Sequence, residues 1–248
     1  MYFELKENRP HGTPEKPFSQ YHISDVKRAF QIPVHWHDEL EIIYVKQGKL
    51  HVTISGENYI GSPKDAFVVS PGSQHFMGSP TGDADYYTFL FPLEYISFQT
   101  DDLMEKSILS PLKRGRLMIS PQINDTAADI CERLIEINAQ ISGKNAENTD
   151  AANIEAQFET KITLIKFIRK MWRNGLILEN GTNGINTTEK EMITYIWQNY
   201  TREISLKEFG AQFHLSEKYI SRYFKEHFHI TLSQYVNHLR LEIGRAHV

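Results

Sequence analysis

Three histidines and a glutamate stand at spacings that let them share one site. His35-Trp36-His37 is followed by Glu41, and His75 comes much later in Pro71-Gly72-Ser73-Gln74-His75. Side chains alternate along a strand, so His35 and His37 can face one cavity. Three imidazoles and a carboxylate suit Mn, Fe, Ni or Zn, and the same atoms can hydrogen-bond the hydroxyls of an organic molecule. Trp36 and Tyr44 add aromatic rings that could stack on such a molecule. A second set of residues lies far along the chain: Ser216, Glu217, Lys218, Ser221, Arg222 and Lys225. An arginine can bond guanine through two donors, and lysines suit phosphates. No side chain is arranged as a nucleophile with its base, so no catalytic residue is assigned.

The first set lies among short strands. Glu41–Lys46, Leu50–Ile54, Ala66–Ser70 and Tyr86–Phe91 are β runs, with turn signals at Gln47-Gly48, Ser55-Gly56, Ser62-Pro63 and Pro71-Gly72. Evenly spaced short strands predict an all-β sandwich or barrel, placed at 18–118. The spacing His35, His37, Glu41 and Gly48, with His75 later, resembles the two motifs of the cupin barrel. In enzymatic cupins the matching histidines and glutamate hold a metal. The second motif departs from that pattern, because Pro71 and Gly72 are adjacent and Lys64-Asp65 replaces the usual Gly-Asp.

The second set belongs to two short amphipathic helices. Ser205 and Glu208 form a capping box, and Leu206, Phe209, Gly210 and Phe213 share one face. The chain turns at His214-Leu215, and Ser216 can cap a second helix whose inward side is Ile220, Tyr223 and Phe224, with Phe228 near its end. Further capping boxes stand at Thr188/Glu191 and Thr231/Gln234. Residues 195–242 resemble the first helix-turn-helix of the AraC/XylS family of bacterial transcription regulators: the Asn199-Tyr200 pair, the Leu215-Ser216 turn, Tyr219-Ile-Ser-Arg-Tyr-Phe-Lys225 and Leu239-Arg-Leu-Glu242 all fit. Two residues depart. Gly210 replaces the usual Ala, which predicts a helix weaker by up to roughly 1 kcal/mol. His229 replaces the usual Gly after the second helix, which predicts a differently built helix stop.

The resemblance implies a regulator that binds double-stranded operator DNA through Ser216, Glu217, Lys218, Ser221, Arg222 and Lys225. Its barrel is expected to hold a small effector, a sugar or sugar derivative, at His35, Trp36, His37, Glu41, Tyr44 and His75. Neither a metal nor another cofactor is expected, and RNA polymerase is a partner if the protein activates. The alternative is a metal-dependent cupin enzyme, an isomerase or dioxygenase, with a fused helical domain.

Between barrel and helices, Ile130, Leu134, Ile137 and Ile141 form one helical stripe, and Ile154, Phe158, Ile162, Ile165, Ile168 and Trp172 form another. They predict a two-helix connector over 122–176, which in this family commonly pairs two subunits into a homodimer. Gly- and Asn-rich 177–187 reads as a linker. The whole is an α+β multidomain chain: cupin-like barrel, helical connector, and an all-α helix-turn-helix domain at 188–248 comprising the first subdomain only. The tail, Glu242-Ile-Gly-Arg-Ala-His-Val248, reads as translated sequencing adapter, so the chain is expected to be a fragment of a truncated gene whose native sequence is legible only to about residue 241. Composition adds outer bounds. The net charge is −4, and from residue 187 on 8 basic residues nearly balance 7 acidic ones, so charge argues little for DNA. One cysteine, Cys131, excludes an internal disulfide and fits a reducing cytoplasm. No apolar run has membrane-spanning length, and no signal peptide is legible.

Overall fold

The computed structural model describes residues 11–24, 30–142, 149–180, 192, 195, 196, 199–227 and 231–237. Its N-terminal part is a sandwich of two antiparallel sheets. One has five strands in the order β1 (Ser19–Ile23), β8 (Asp85–Phe91), β3 (Leu40–Gln47), β6 (Ala66–Val69) and β10 (Gln122–Asn124). The other has four, ordered β2 (Phe30–His35), β7 (His75–Ser79), β4 (Leu50–Ile54) and β5 (Glu57–Gly61). Period-two alternation divides the five-stranded sheet between two cores. Ile43, Val45, Phe67, Val69 and Tyr86 point between the sheets, where Leu50, Val52, Ile54 and Met77 meet them. Leu40, Ile42, Tyr44, Ala66, Val68, Phe89 and Phe91 point the other way, toward helices. That is why Leu40–Val45 is buried without a break: both faces of this strand are covered.

The β3–β4 turn depends on Gly48. Its φ is +72°, and a Cβ there would lie 2.2 Å from the backbone carbonyl oxygen of Asp83. Only glycine combines that backbone with that approach.

A helical layer covers the outer face of the five-stranded sheet. Glu105–Leu109 forms a wide helical turn that runs into α1 (Ser110–Lys113). α2 (Ala128–Ser142) and α3 (Asp150–Arg173) follow as a hairpin. Thr149 caps α3 by accepting from the Ala152 amide at 3.2 Å. Lys170–Asp129 at 2.6 Å and Arg133–Glu159 at 2.8 Å tie the two helices together. The α2 stripe is buried as expected, at Ile130, Leu134 and Ile137. The α3 stripe is not one surface. Thr160, Thr163, Leu164, Phe167, Ile168 and Met171 face inward, while Ile154, Phe158, Ile162 and Trp172 are 55%, 61%, 43% and 59% exposed.

Two expected boundaries shift. Residues 122–124, assigned to the connector, form strand β10 of the main sheet. Residues 177–179, assigned to the linker, form β11 (Ile177–Glu179), paired with β9 (Leu117–Ile119). Residues 181–190, and with them the Thr188/Glu191 box, lie outside the described residues.

The C-terminal part holds α4 (Leu206–Phe213) and α5 (Glu217–His227) across a tight turn. Their apolar faces close on Met192, Ile196, Phe209, Ile220, Phe224, Leu232, Tyr235 and Val236. The expected caps are present: Ser205 Oγ accepts from the Glu208 amide at 3.1 Å, Ser216 Oγ from Tyr219 at 3.2 Å, and Thr231 Oγ1 from Gln234 at 3.2 Å. The box at Thr231 is reciprocal, since its own amide donates to Gln234 Oε1 at 2.9 Å. The one at Ser205 is not: Glu208 turns its carboxylate to Arg202 and Tyr195. Phe228, His229 and the tail from 238 lie outside the described residues.

Candidate functional site

His35, His37, Glu41 and His75 converge at one end of the sandwich. One ligating atom from each lies within 4.8 Å of all the others. β3 places Glu41 on the inward face it shares with Ile43 and Val45. β2 and β7 place His35 opposite His75 in register, with ring centroids 4.1 Å apart. His37, His75 and Glu41 are almost wholly buried, at 2%, 1% and 3% exposure. His37 Nδ1 pairs with the Glu39 carbonyl and His75 Nδ1 with the Ser73 carbonyl, both at 3.1 Å. An imidazole nitrogen facing a carbonyl must carry the proton, so each Nε2 is turned inward. The two Nε2 atoms reach Glu41 Oε2 at 3.3 and 2.9 Å.

Burial alone would lower the His37 pKa, but the hydrogen bond and charge of Glu41, with Glu39 behind, raise it. Burial alone would raise the Glu41 carboxyl, but His75 and His37 hold it well below the usual carboxylate range. Glu41 is therefore a buried carboxylate held in its charged form by its two imidazole neighbours. The donor set also fits a transition-metal ion. Three imidazoles and one carboxylate are suitable ligands, and two of the rings are already oriented by outer hydrogen bonds of the kind that fix metal-ligating histidines.

The six residues expected at the effector site do not all meet. Tyr44 is three positions from Glu41, so it faces the helical layer, where its hydroxyl donates to Glu132 at 2.8 Å. Period-two parity removes it from the site. Trp36 lies between two site histidines and turns away from them, against the C-terminal helical core. Two further residues approach the site without having stood out in the sequence. His11 comes from the N-terminal segment, its ring centroid 5.6 Å from that of His37. Tyr86, on β8, points between the sheets; burial and then the Glu41 charge push its phenol pKa up. His11 follows no periodic pattern that could have flagged it, but Tyr86 has the inward parity of a core strand.

The second set lies on the outer face of α5. Ser216, Glu217, Lys218, Arg222 and Lys225 are exposed and Ser221 is half-buried. Tyr219, not among the expected contacts, is 39% exposed on the same surface. Its ring stacks on Tyr223 at 6.0 Å, and the Arg222 guanidinium stands 5.7 Å from its centroid. Below this surface Phe209 of α4 packs on Phe224 of α5 at 5.9 Å, with Phe213 of its own helix beside it at 4.9 Å.

Comparison with known proteins gives the lineage. The chain is 23% identical over 208 residues to the uncharacterized HTH-type transcriptional regulator YdiP of Escherichia coli, covering 84% of this chain and 65% of that one. It thus spans just under two thirds of that relative's length. It is 23% identical to the HTH-type transcriptional activator RhaS of Klebsiella pneumoniae, over 86% of this chain and 72% of that one. Among solved structures, an RmlC-like cupin from Shewanella frigidimarina matches at 25% identity and a TM-score of 0.29, covering 31% of this chain and 67% of that one. The model of the AraC-like ligand binding domain matches residues 17–156, from just ahead of β1 into α3. That match takes in the whole sandwich, the four converging side chains and more than half of the sequence, and the chain belongs to the AraC family of transcriptional regulators.

Proposed function

We propose that this protein is a cytoplasmic, sequence-specific DNA-binding regulator whose barrel takes a small polar effector, a sugar or sugar derivative, at the His35–His37–Glu41–His75 cluster. The observation that carries the DNA half is the outer face of α5. It presents Lys218, Arg222 and Lys225 beside the exposed Tyr219, on a helix fixed by an aromatic core. A helix held this way can enter the major groove as the second helix of a helix-turn-helix. Arg222 is assigned the base contact, while Lys218 and Lys225 are assigned phosphates. Arg222→Ala is expected to lose about 1–3 kcal/mol of specific affinity while retaining non-specific binding. Operator titrations that show no difference from the unsubstituted chain would refute the assignment.

The donor geometry favours a second reading of the barrel, in which the four side chains hold a transition-metal ion. Bound there, a metal would offer an electrophilic centre to an oxygen of the effector. The protein's own part is already visible: Glu39 and Ser73 carbonyls aim two Nε2 lone pairs at one point. Elemental analysis of protein purified without chelator separates the two readings. Effector response without stoichiometric metal supports the first, and response lost on chelation and restored by metal supports the second. The relatives are transcriptional regulators, which sets the enzyme alternative behind both.

The exposed face of α3 is assigned to a second copy of the chain. Ile154, Phe158, Ile162 and Trp172 leave one side of a 24-residue helix apolar and uncovered, and exposed apolar patches of that kind mark interfaces.

A further inference from the structure

The strand that carries His35 has two working faces. Register along β2 is regular from Phe30↔Ser79 to Ile32↔Met77 and then shifts before His35↔His75. Pro33 lies in the irregular stretch and supplies no amide hydrogen to the ladder. An extra residue in a strand reverses the parity beyond it. Ile32 packs between the sheets, and His35, three positions on, still meets the inward-facing tetrad. Val34 and Trp36 are consequently thrown outward, and both pack against the helical core built from Ile196, Phe209, Ile220 and Phe224. Over four consecutive positions the chain alternates between the two functional parts of the molecule. His37 is further tied to the turn before His75, since its carbonyl accepts from the Gly72 amide at 2.7 Å.

We propose that residues 34–37 transmit the state of the tetrad to the DNA-reading helices. An extended segment cannot turn His35 and His37 about its axis without swinging Val34 and Trp36, on its other face, in the opposite direction. Any ligand that draws the four side chains together or spreads them therefore shifts Trp36 on the core beneath α4 and α5. The physiological sense of this coupling rests on reading the tetrad as the effector site, but the coupling itself needs no effector.

Amide hydrogen exchange across residues 206–224 of the intact chain tests it, comparing the unsubstituted protein, Glu41→Gln, Trp36→Ala and the double variant. Glu41→Gln disturbs the tetrad from inside the barrel and touches no residue of the helices. It is expected to change exchange in α4 and α5 at least threefold when Trp36 is present and not at all when Trp36 is alanine. Trp36→Phe, which keeps an aromatic ring, should preserve most of the response. An equal response with and without Trp36, or no response in either background, overturns the proposal. If Trp36→Ala fails to fold by circular dichroism, Val34→Ala trims the same contact and must diminish the response; an undiminished one is equally fatal. If Glu41→Gln fails to fold, His75→Gln replaces it. Effector-binding assays fail independently: a tetrad that binds nothing leaves this exchange result intact, and a negative exchange result leaves effector binding intact.

Discussion

At the scale of single residues, two positions in the α4–α5 turn carry opposite expectations. Gly210 has the composition of a helix defect, and propensity alone predicts that alanine would strengthen α4. The turn reverses that sign. His214 adopts a left-handed backbone, its amide bonds the Ala211 carbonyl, and the Leu215 amide bonds the Gly210 carbonyl at 2.8 Å. This is a Schellman stop, and it folds the chain back so that a Cβ on Gly210 would lie 2.5 Å from the Leu215 carbonyl oxygen. Gly210→Ala is therefore expected to destabilise the chain by about 1–3 kcal/mol, the usual effect of overpacking. His214→Gly should stabilise by about 1 kcal/mol, because a side chain at φ +56° is strained. Urea melts of the two variants decide the matter, and a stabilising Gly210→Ala would show that the turn relaxes easily. The sequence displayed the cap at Ser216 and the small residue at 210, since both follow from local chemistry. It did not display that His214 would take the glycine conformation, because that is imposed by how the two helices close.

At the scale of elements, buried charge and exposed apolar surface were the least legible features. Glu105 reads as an ordinary surface residue but is 5% exposed, and it holds the 93–113 stretch together. Its carboxylate accepts from Lys113 at 2.6 Å, Ser110 at 3.1 Å and the Phe98 amide at 3.3 Å. Burial alone would raise its pKa, but these donors, Lys113 foremost, lower it below 4.5. A depressed carboxyl contributes stability above its unfolded pKa that is lost as pH falls through the folded value. The destabilisation caused by Glu105→Gln, about 1–3 kcal/mol near neutrality, should accordingly shrink in melts taken below pH 4.5. A pH-independent difference would mean that shape rather than charge is what Gln lacks. For α3 the stripe was visible, but its division was not. Ile168 and Trp172 share a helical spacing, yet one is buried and the other is 59% exposed, because Leu164, Phe167 and Met171 had already filled the face toward the sheet. Phe158→Glu should leave the melting temperature nearly unchanged, since Phe158 contributes little to its own chain's core. If α3 pairs two copies as proposed, sedimentation should show dimer for the unsubstituted chain and monomer for the variant, and a dimer that persists would move the interface elsewhere.

At the scale of the whole molecule, the sandwich could be read ahead because its alternation and turns are local, and the tetrad because its spacing resembles a known motif. The meeting of Trp36 with the helical core could not, because it depends on a register shift in β2 and on contacts between segments over 150 residues apart. Its consequence bears on how the 248-residue chain would hold DNA. The described residues contain one helix-turn-helix, on a segment with nearly balanced basic and acidic residues. A single recognition helix reads only a few base pairs, and a weakly charged surface releases few counterions on binding. Pairing through α3 would place two readers on one site and raise their effective concentration. The chain is therefore expected to bind its operator weakly and with a shallow dependence on salt. Phe158→Glu should weaken it further without altering the base preference assigned to Arg222. Fluorescence anisotropy across a salt series measures both effects. Nanomolar binding at physiological salt, the strength of many specific regulators, would show that one helix-turn-helix per chain suffices. Binding unchanged by Phe158→Glu would show that pairing through α3 contributes nothing.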